Sequence, residues 1–208
     1  MLFLAEKKII AHQLRDFPEW HQGTHHYGFW GLMIDDPAWQ ETVALAQAHM
    51  ARFLHPGYRR QPHVTLFCGG LLADDFFSEE ILARQVQALA EARLPPFCLE
   101  LSGCLDSFAT APHLPLADPD GGLAKIRAVL ATVNREDAPP ASYHPHITLG
   151  FYRQSFATRA VAAHLRAFRP LPPPPFSARS IHFCRFATAD SQGPLETLAC
   201  LDLPAATR

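Results

Sequence analysis

Pro62-His63-Val64-Thr65-Leu66 and Pro145-His146-Ile147-Thr148-Leu149 are one five-residue word, Pro-His-aliphatic-Thr-Leu, written twice. A lone His-x-Thr triplet would mean little in 208 residues that include 12 histidines. Two copies that also share the flanking Pro and Leu are not an accident of composition. Val and Ile are β-branched, so each word reads as a strand. Residues i and i+2 of a strand share a face, which sets an imidazole beside a hydroxyl in front and turns the aliphatic residues into a core. Two such fronts brought together make a cleft with two imidazoles and two hydroxyls, a set suited to phosphoryl chemistry.

The segments around the words repeat as well. Residues 27–34 are apolar on both faces and predict an internal strand. Asp35-Asp36-Pro37 offers an N-cap followed by Pro, and a helix is expected over 39–53. Arg59 and Arg60 precede the first word, whose strand, 63–68, is expected to stop at Gly69-Gly70. Ser78 caps a second helix to about residue 93, ended by Pro95-Pro96. A strand over 97–104, a loop over 105–120, a helix over 123–134 and a further loop over 135–141 lead to the second word. Strand-helix-strand ending in a His word thus occurs twice. Beyond it, Ser155 is expected to cap a helix over 156–168, a Pro-rich spacer follows, and 176–186 with 195–203 form a terminal strand pair. Residues 1–26 are read as an arm, with a short helix over 6–17 and a loop from Pro18, and residues 204–208 as a frayed tail.

The paired words and their order resemble the two-histidine phosphoesterase superfamily, which includes bacterial 2′-5′ RNA ligase-like proteins and cyclic nucleotide phosphodiesterases. The resemblance covers roughly residues 27–203. It implies an α+β fold of two pseudo-symmetric lobes, mainly antiparallel sheet with outer helices, and a central cleft carrying both His-x-Thr strands. Residues 27–208 are then a single two-lobed domain. Carried over residue by residue, it makes His63, Thr65, His146 and Thr148 catalytic. Histidine can take and give protons near neutral pH, and the Thr hydroxyls are donors for charge on non-bridging oxygens. The implied reaction is opening of a 2′,3′-cyclic phosphate, to a 2′-phosphate, on RNA ends or small nucleotides. No metal or other cofactor is implied. RNA 2′-5′ ligation and a non-catalytic RNA-end or nucleotide-binding module are the competing readings.

Further substrate contacts are expected from position alone. Tyr152 has the parity of His146 and Thr148, and Phe67 that of His63 and Thr65. Arg59, Arg60, Tyr27 and Trp30 lie within reach of the first word, and Arg153 follows the second with the opposite parity.

Composition bounds the rest. Hydrophobic content of 48% and charged content of 18% are globular values, and no apolar run is long enough to span a bilayer. A cytoplasmic monomer is expected, with the five Cys as reduced core thiols. A net charge of −2 argues against coating of long nucleic acid and for a small or terminal substrate. The stretch 153–186 carries six Arg and no acid, a candidate basic surface beside the second word.

Overall fold

The computed structural model describes residues 8–134 and 143–204. In chain order the first half holds β1 (Lys8–Ile9), α1 (Pro18–His21), β2 (His26–Met33), α2 (Pro37–Met50), β3 (His63–Leu71) and α3 (Glu79–Ala92). The second half holds β4 (Phe97–Leu101), β5 (Asp106–Ser107), β6 (Pro112–Ala117), α4 (Gly122–Val133), β7 (His146–Thr148), β8 (Phe156–Ala157), α5 (Thr158–Ala167), β9 (Phe176–Ala178), β10 (Ser180–Ala187) and β11 (Glu196–Asp202).

Two antiparallel sheets organise these elements, as the α+β reading requires. The first has the order β11-β10-β2-β3, and the second β5-β6-β4-β9 with β7 added on β6. β2 is internal because it is apolar on both faces: Trp30 and Leu32 face one side and Phe29 the other, and all three are buried. Full burial of a side chain such as Leu32 or Phe183 contributes about 2–3 kcal/mol. One hydrophobic cluster runs through both sheets and their helices, from Trp30, Leu66 and Phe183 to Leu99, Leu114 and Ile147. The caps follow the sequence. Asp36 accepts from the amides of Ala38 and Trp39 at 3.0 and 3.1 Å, and the Ser78 hydroxyl accepts from Ile81 at 3.4 Å.

The internal repeat is β2-α2-β3 and β6-α4-β7. In each copy the carbonyl of the word's Pro accepts an amide from the end of the partner strand: Ile34 N–H to Pro62 at 2.9 Å, and Leu116 N–H to Pro145 at 2.9 Å. β3 and β7 are thereby edge strands of their sheets, and they pack against each other.

Several local expectations are corrected. The supposed loop 105–120 contains β5 and β6, and β6, not β4, is the partner strand of the second word. Pro112 and Pro115 conceal it, since proline usually argues against an internal strand. Here each contributes only its carbonyl, Pro112 to the amide of Leu149 at 3.0 Å and Pro115 to that of Ser102 at 2.9 Å. β3 runs on to Leu71 through both glycines, because a Cβ on Gly69 would sit 2.8 Å from the Gly28 carbonyl oxygen and glycine alone lets the strands close. The stretch 176–186 is two strands, since the chain leaves the second sheet as β9 and enters the first as β10 after Arg179. In the arm, the described part of 6–17 holds a strand rather than a helix: β1 pairs with β8, with Ile9 fully buried, and the short α1 follows at Pro18. α5 begins at Thr158 after the strand β8, with Ala157 and not Ser155 at its N-cap. The expected loop 135–141 and tail 205–208 lie outside the described residues.

Candidate active site

Each word fixes its imidazole in the same way. His63 donates its Nδ1 hydrogen to the carbonyl oxygen of Gln61 at 2.8 Å, and His146 donates its own to His144 at 2.7 Å. A carbonyl can only accept, so Nδ1 carries the proton and the neutral ring has its lone pair on Nε2. The Pro between donor and acceptor explains the shared geometry. A residue before proline is held in extended backbone, which presents the Gln61 and His144 carbonyls to the rings two residues on. Thr65 and Thr148 follow at i+2, opposite Gly31 of β2 and His113 of β6 respectively.

The two strands are held together from the second lobe. Tyr143 donates its phenol hydrogen to the carbonyl oxygen of Thr65 at 2.8 Å, and Arg127 donates to that of Leu66. The Arg127 guanidinium also lies over the Tyr143 ring, 4.3 Å from its centroid. The exposed carbonyl edge of β3 is therefore satisfied by side chains that approach β7.

Electrostatics keep both rings neutral. Burial pushes His63 down to about 4; Arg60 and His146 add repulsion, and the Gln61 carbonyl opposes it. His146 is also lowered, first by burial, with His144 adding to it and its carbonyl opposing. A third imidazole stands beside them. The ring of His113 is 5.0 Å from His146 and stacks on Phe108 at 4.4 Å, and burial pushes it to about 3 with repulsion from His146. The Ala111 carbonyl, two residues back across Pro112, opposes that shift. Beside His146, a pocket of about 450 Å³ is lined by Cys104, Asp106, His113 and His144 among others. Among the described residues, no group of three His, Cys, Asp or Glu side chains could hold a metal ion.

Comparison with known proteins decides the family. A family model for the 2′-5′ RNA ligase superfamily matches residues 34–190. The chain belongs to the 2′-5′ RNA ligase superfamily. None of the curated proteins compared with it matches. Among solved structures, E. coli LigT complexed with NADP+ shares 19% identity and a TM-score of 0.54, over 87% of this chain and 99% of that one. TT0787 of Thermus thermophilus shares 15% identity and a TM-score of 0.58, over 87% and 100%. Usb1 of Kluyveromyces marxianus shares 15% identity and a TM-score of 0.51, over 84% and 97%. These are likenesses of fold.

Within this superfamily fold, the other residues expected at the substrate divide sharply. Trp30 is fully buried on the far face of β2 and donates its indole hydrogen to Gln85 at 2.8 Å. Phe67 is also core, because β3 bulges at Leu66: Thr65 pairs with Gly31 but Phe67 with Trp30, which resets the alternation. Tyr152 is fully buried and shares a 2.7 Å hydrogen bond with Ser107. β7 ends at Thr148, and Gly150 has φ +145°, so the parity that pointed Tyr152 at the site does not carry through. Arg59 is exposed and paired with Asp190 at 2.6 Å, and Arg153 is exposed at the surface. The Arg-rich stretch is spread over α5 and several separate segments, and its Arg185 is bonded to Glu196.

Arg60 lies near the first word, whereas Tyr27 lies farther along β2, opposite Leu71. Arg60 is close enough to His63 to oppose its protonation, and its guanidinium covers the Phe186 ring at 3.9 Å with a buried Nε that has no hydrogen-bond partner among the described residues. Tyr27 shares a face of β2 with Phe29, whose ring is 5.3 Å from His63. Sequence reading missed Phe29, Phe108, His113, Arg127, Tyr143 and Phe186. His113 did carry a signal: Pro112-His113 repeats the first two letters of the words.

Proposed function

We propose that the protein hydrolyses 2′,3′-cyclic phosphodiesters of RNA ends or nucleotides, to the 2′-phosphate, by paired-histidine acid-base catalysis. The observation that carries this reading is the matched pair of imidazoles on adjoining strands, each anchored through Nδ1 and each two residues from a threonine. LigT has been crystallised with phosphate, 3′-AMP and ATP, which supports a nucleotide or phosphate ligand for the same fold.

The roles follow from the charges. Of the two word histidines, His63 is the more deeply buried and has Arg60 beside it, so its Nε2 takes the proton from the attacking water. The anionic phosphodiester brings the opposite charge that favours a proton on His146, and His146 delivers that proton to the departing O3′. Water oxygen bonds to phosphorus, the P–O3′ bond breaks, and the 2′-ester remains. Thr65 and Thr148 donate to the non-bridging oxygens, where developing charge is greatest. The two imidazoles and two hydroxyls supply this chemistry without a metal, so turnover is expected to survive EDTA.

The deciding experiment is hydrolysis of a 2′,3′-cyclic nucleotide by the wild type, His63→Ala and His146→Ala, with 2′- and 3′-phosphate products resolved. Turnover in the wild type and a loss of about 10²–10⁴-fold in each folded variant is expected. Equal turnover in all three would overturn the reading. Tight nucleotide binding without wild-type turnover would favour a binding module, and joining of RNA ends in its place would favour ligation.

A further inference from the structure

A row of aromatic rings leads away from the first histidine along one face of the first sheet. From the His63 ring it is 5.3 Å to Phe29, 6.4 Å from Phe29 to Phe186, 5.5 Å from Phe186 to Tyr27 and 5.7 Å from Tyr27 to Trp20. The register explains the row: Phe186 lies opposite Tyr27, and Cys184 opposite Phe29, so β2 and β10 offer rings on the His63 side of the sheet. Trp20 comes from α1 in the arm and is 43% exposed at the far end. The rings of Trp20 and Tyr27 are inclined by 31°, and those of Tyr27 and Phe186 by 34°. Over Phe186 sits the Arg60 guanidinium, whose buried Nε has no hydrogen-bond partner among the described residues.

The opposite flank of the site differs. The pocket beside His146 is lined by Cys104, Asp106, His113 and His144, and Phe108 closes on His113. The first-sheet side instead combines flat apolar faces with a cation, the pairing that single-stranded nucleic acid uses for its bases and phosphates.

We propose that this row, Tyr27 and Trp20 with Arg60 held over Phe186, binds the bases and a phosphate of the nucleotides on the 5′ side of a terminal cyclic phosphate. The inference rests on the phosphoesterase reading above and narrows its substrate to the end of an RNA strand rather than a free nucleotide. The terminal residue occupies the histidines, the preceding bases stack toward Trp20, and Arg60 pairs with a backbone phosphate. Only a few nucleotides are held, which agrees with a net charge of −2. Stacking is sequence-tolerant, since every base has a π-face.

The test compares kcat/KM on 2′,3′-cyclic AMP with kcat/KM on a tetranucleotide ending in the same cyclic phosphate, in the wild type, Trp20→Ala and Trp20→Phe. The wild type is expected to favour the tetranucleotide by about tenfold or more, the scale of one stacked base. Trp20→Ala should remove most of that preference, and Trp20→Phe should keep it. The ratio within each protein cancels any loss of folded material. Equal kcat/KM on the two wild-type substrates, or a preference that survives Trp20→Ala, would overturn the row as a subsite while leaving the phosphoesterase reading standing. No hydrolysis of either substrate by the wild type would instead remove that reading, and this proposal with it.

Discussion

His63 gives its Nδ1 hydrogen to the Gln61 carbonyl at 2.8 Å, across the proline that separates them. The bond fixes both ring orientation and tautomer, and its copy at His146 and His144 makes the arrangement a property of the word rather than of one lobe. ¹⁵N NMR of the imidazoles at pH 7 should therefore show two rings with protonated Nδ1 and bare Nε2. Signals for Nε2–H tautomers at His63 and His146 would contradict the base role, because no lone pair would then face the substrate.

Buried neutral imidazoles make stability depend on pH. His63 titrates at about 4 and His113 at about 3 in the folded chain, against an ordinary 6.5. Between those values the unfolded chain binds protons that the folded chain refuses. Their contribution is full above about pH 6.5 and is lost as pH falls, down to about 4 for His63 and about 3 for His113. At about 1.4 kcal/mol per pKa unit, His63 alone accounts for about 3 kcal/mol over that window. Urea midpoints should fall between pH 7 and pH 4.5, and His63→Ala should make the slope shallower. Equal midpoints in the wild type would contradict the burial argument.

Arg60 adds repulsion that holds His63 neutral. Replacing it by Gln removes that charge and raises the His63 pKa, so the acid limb of the kcat/KM profile should move to higher pH. The plateau should also fall by about 10–100-fold if the guanidinium meets a phosphate. A limb that stays in place while the plateau falls would confine Arg60 to binding. In the wild type the two histidines are read as apparent pKa values of the pair.

What the sequence showed and concealed follows from the range of the interactions concerned. The two words, the caps at Asp36 and Ser78 and the strand over 27–34 are local patterns, and each became the element it indicated. β6 was hidden because its prolines mask a strand whose carbonyls alone are needed. Parity misplaced Phe67 and Tyr152, since a bulge at Leu66 and the end of β7 before Gly150 break the alternation that parity assumes. Arg59 and Arg60 read alike as neighbours. Only the fold brings Asp190 to Arg59 and Phe186 to Arg60, and so leaves one guanidinium engaged and the other beside the site.

Tyr143 bridges the two words directly, since it lies just before the second and donates to the Thr65 carbonyl of the first at 2.8 Å. Tyr143→Phe removes that hydrogen bond and leaves the ring in place under Arg127. The expected stability cost is about 1 kcal/mol. The kinetic effect should be larger than such a cost implies, because the contact sets the spacing of β3 and β7 and hence of the two Nε2 atoms. Misplacement on the order of 1 Å can cost about a hundredfold in rate, so kcat should fall by about tenfold while KM changes little. Arg127→Met should act in the same direction through Leu66. The two changes should be non-additive, because Arg127 and Tyr143 touch. A variant that loses stability but keeps its kcat would show that Tyr143 only joins the lobes and that the histidines hold their spacing without it.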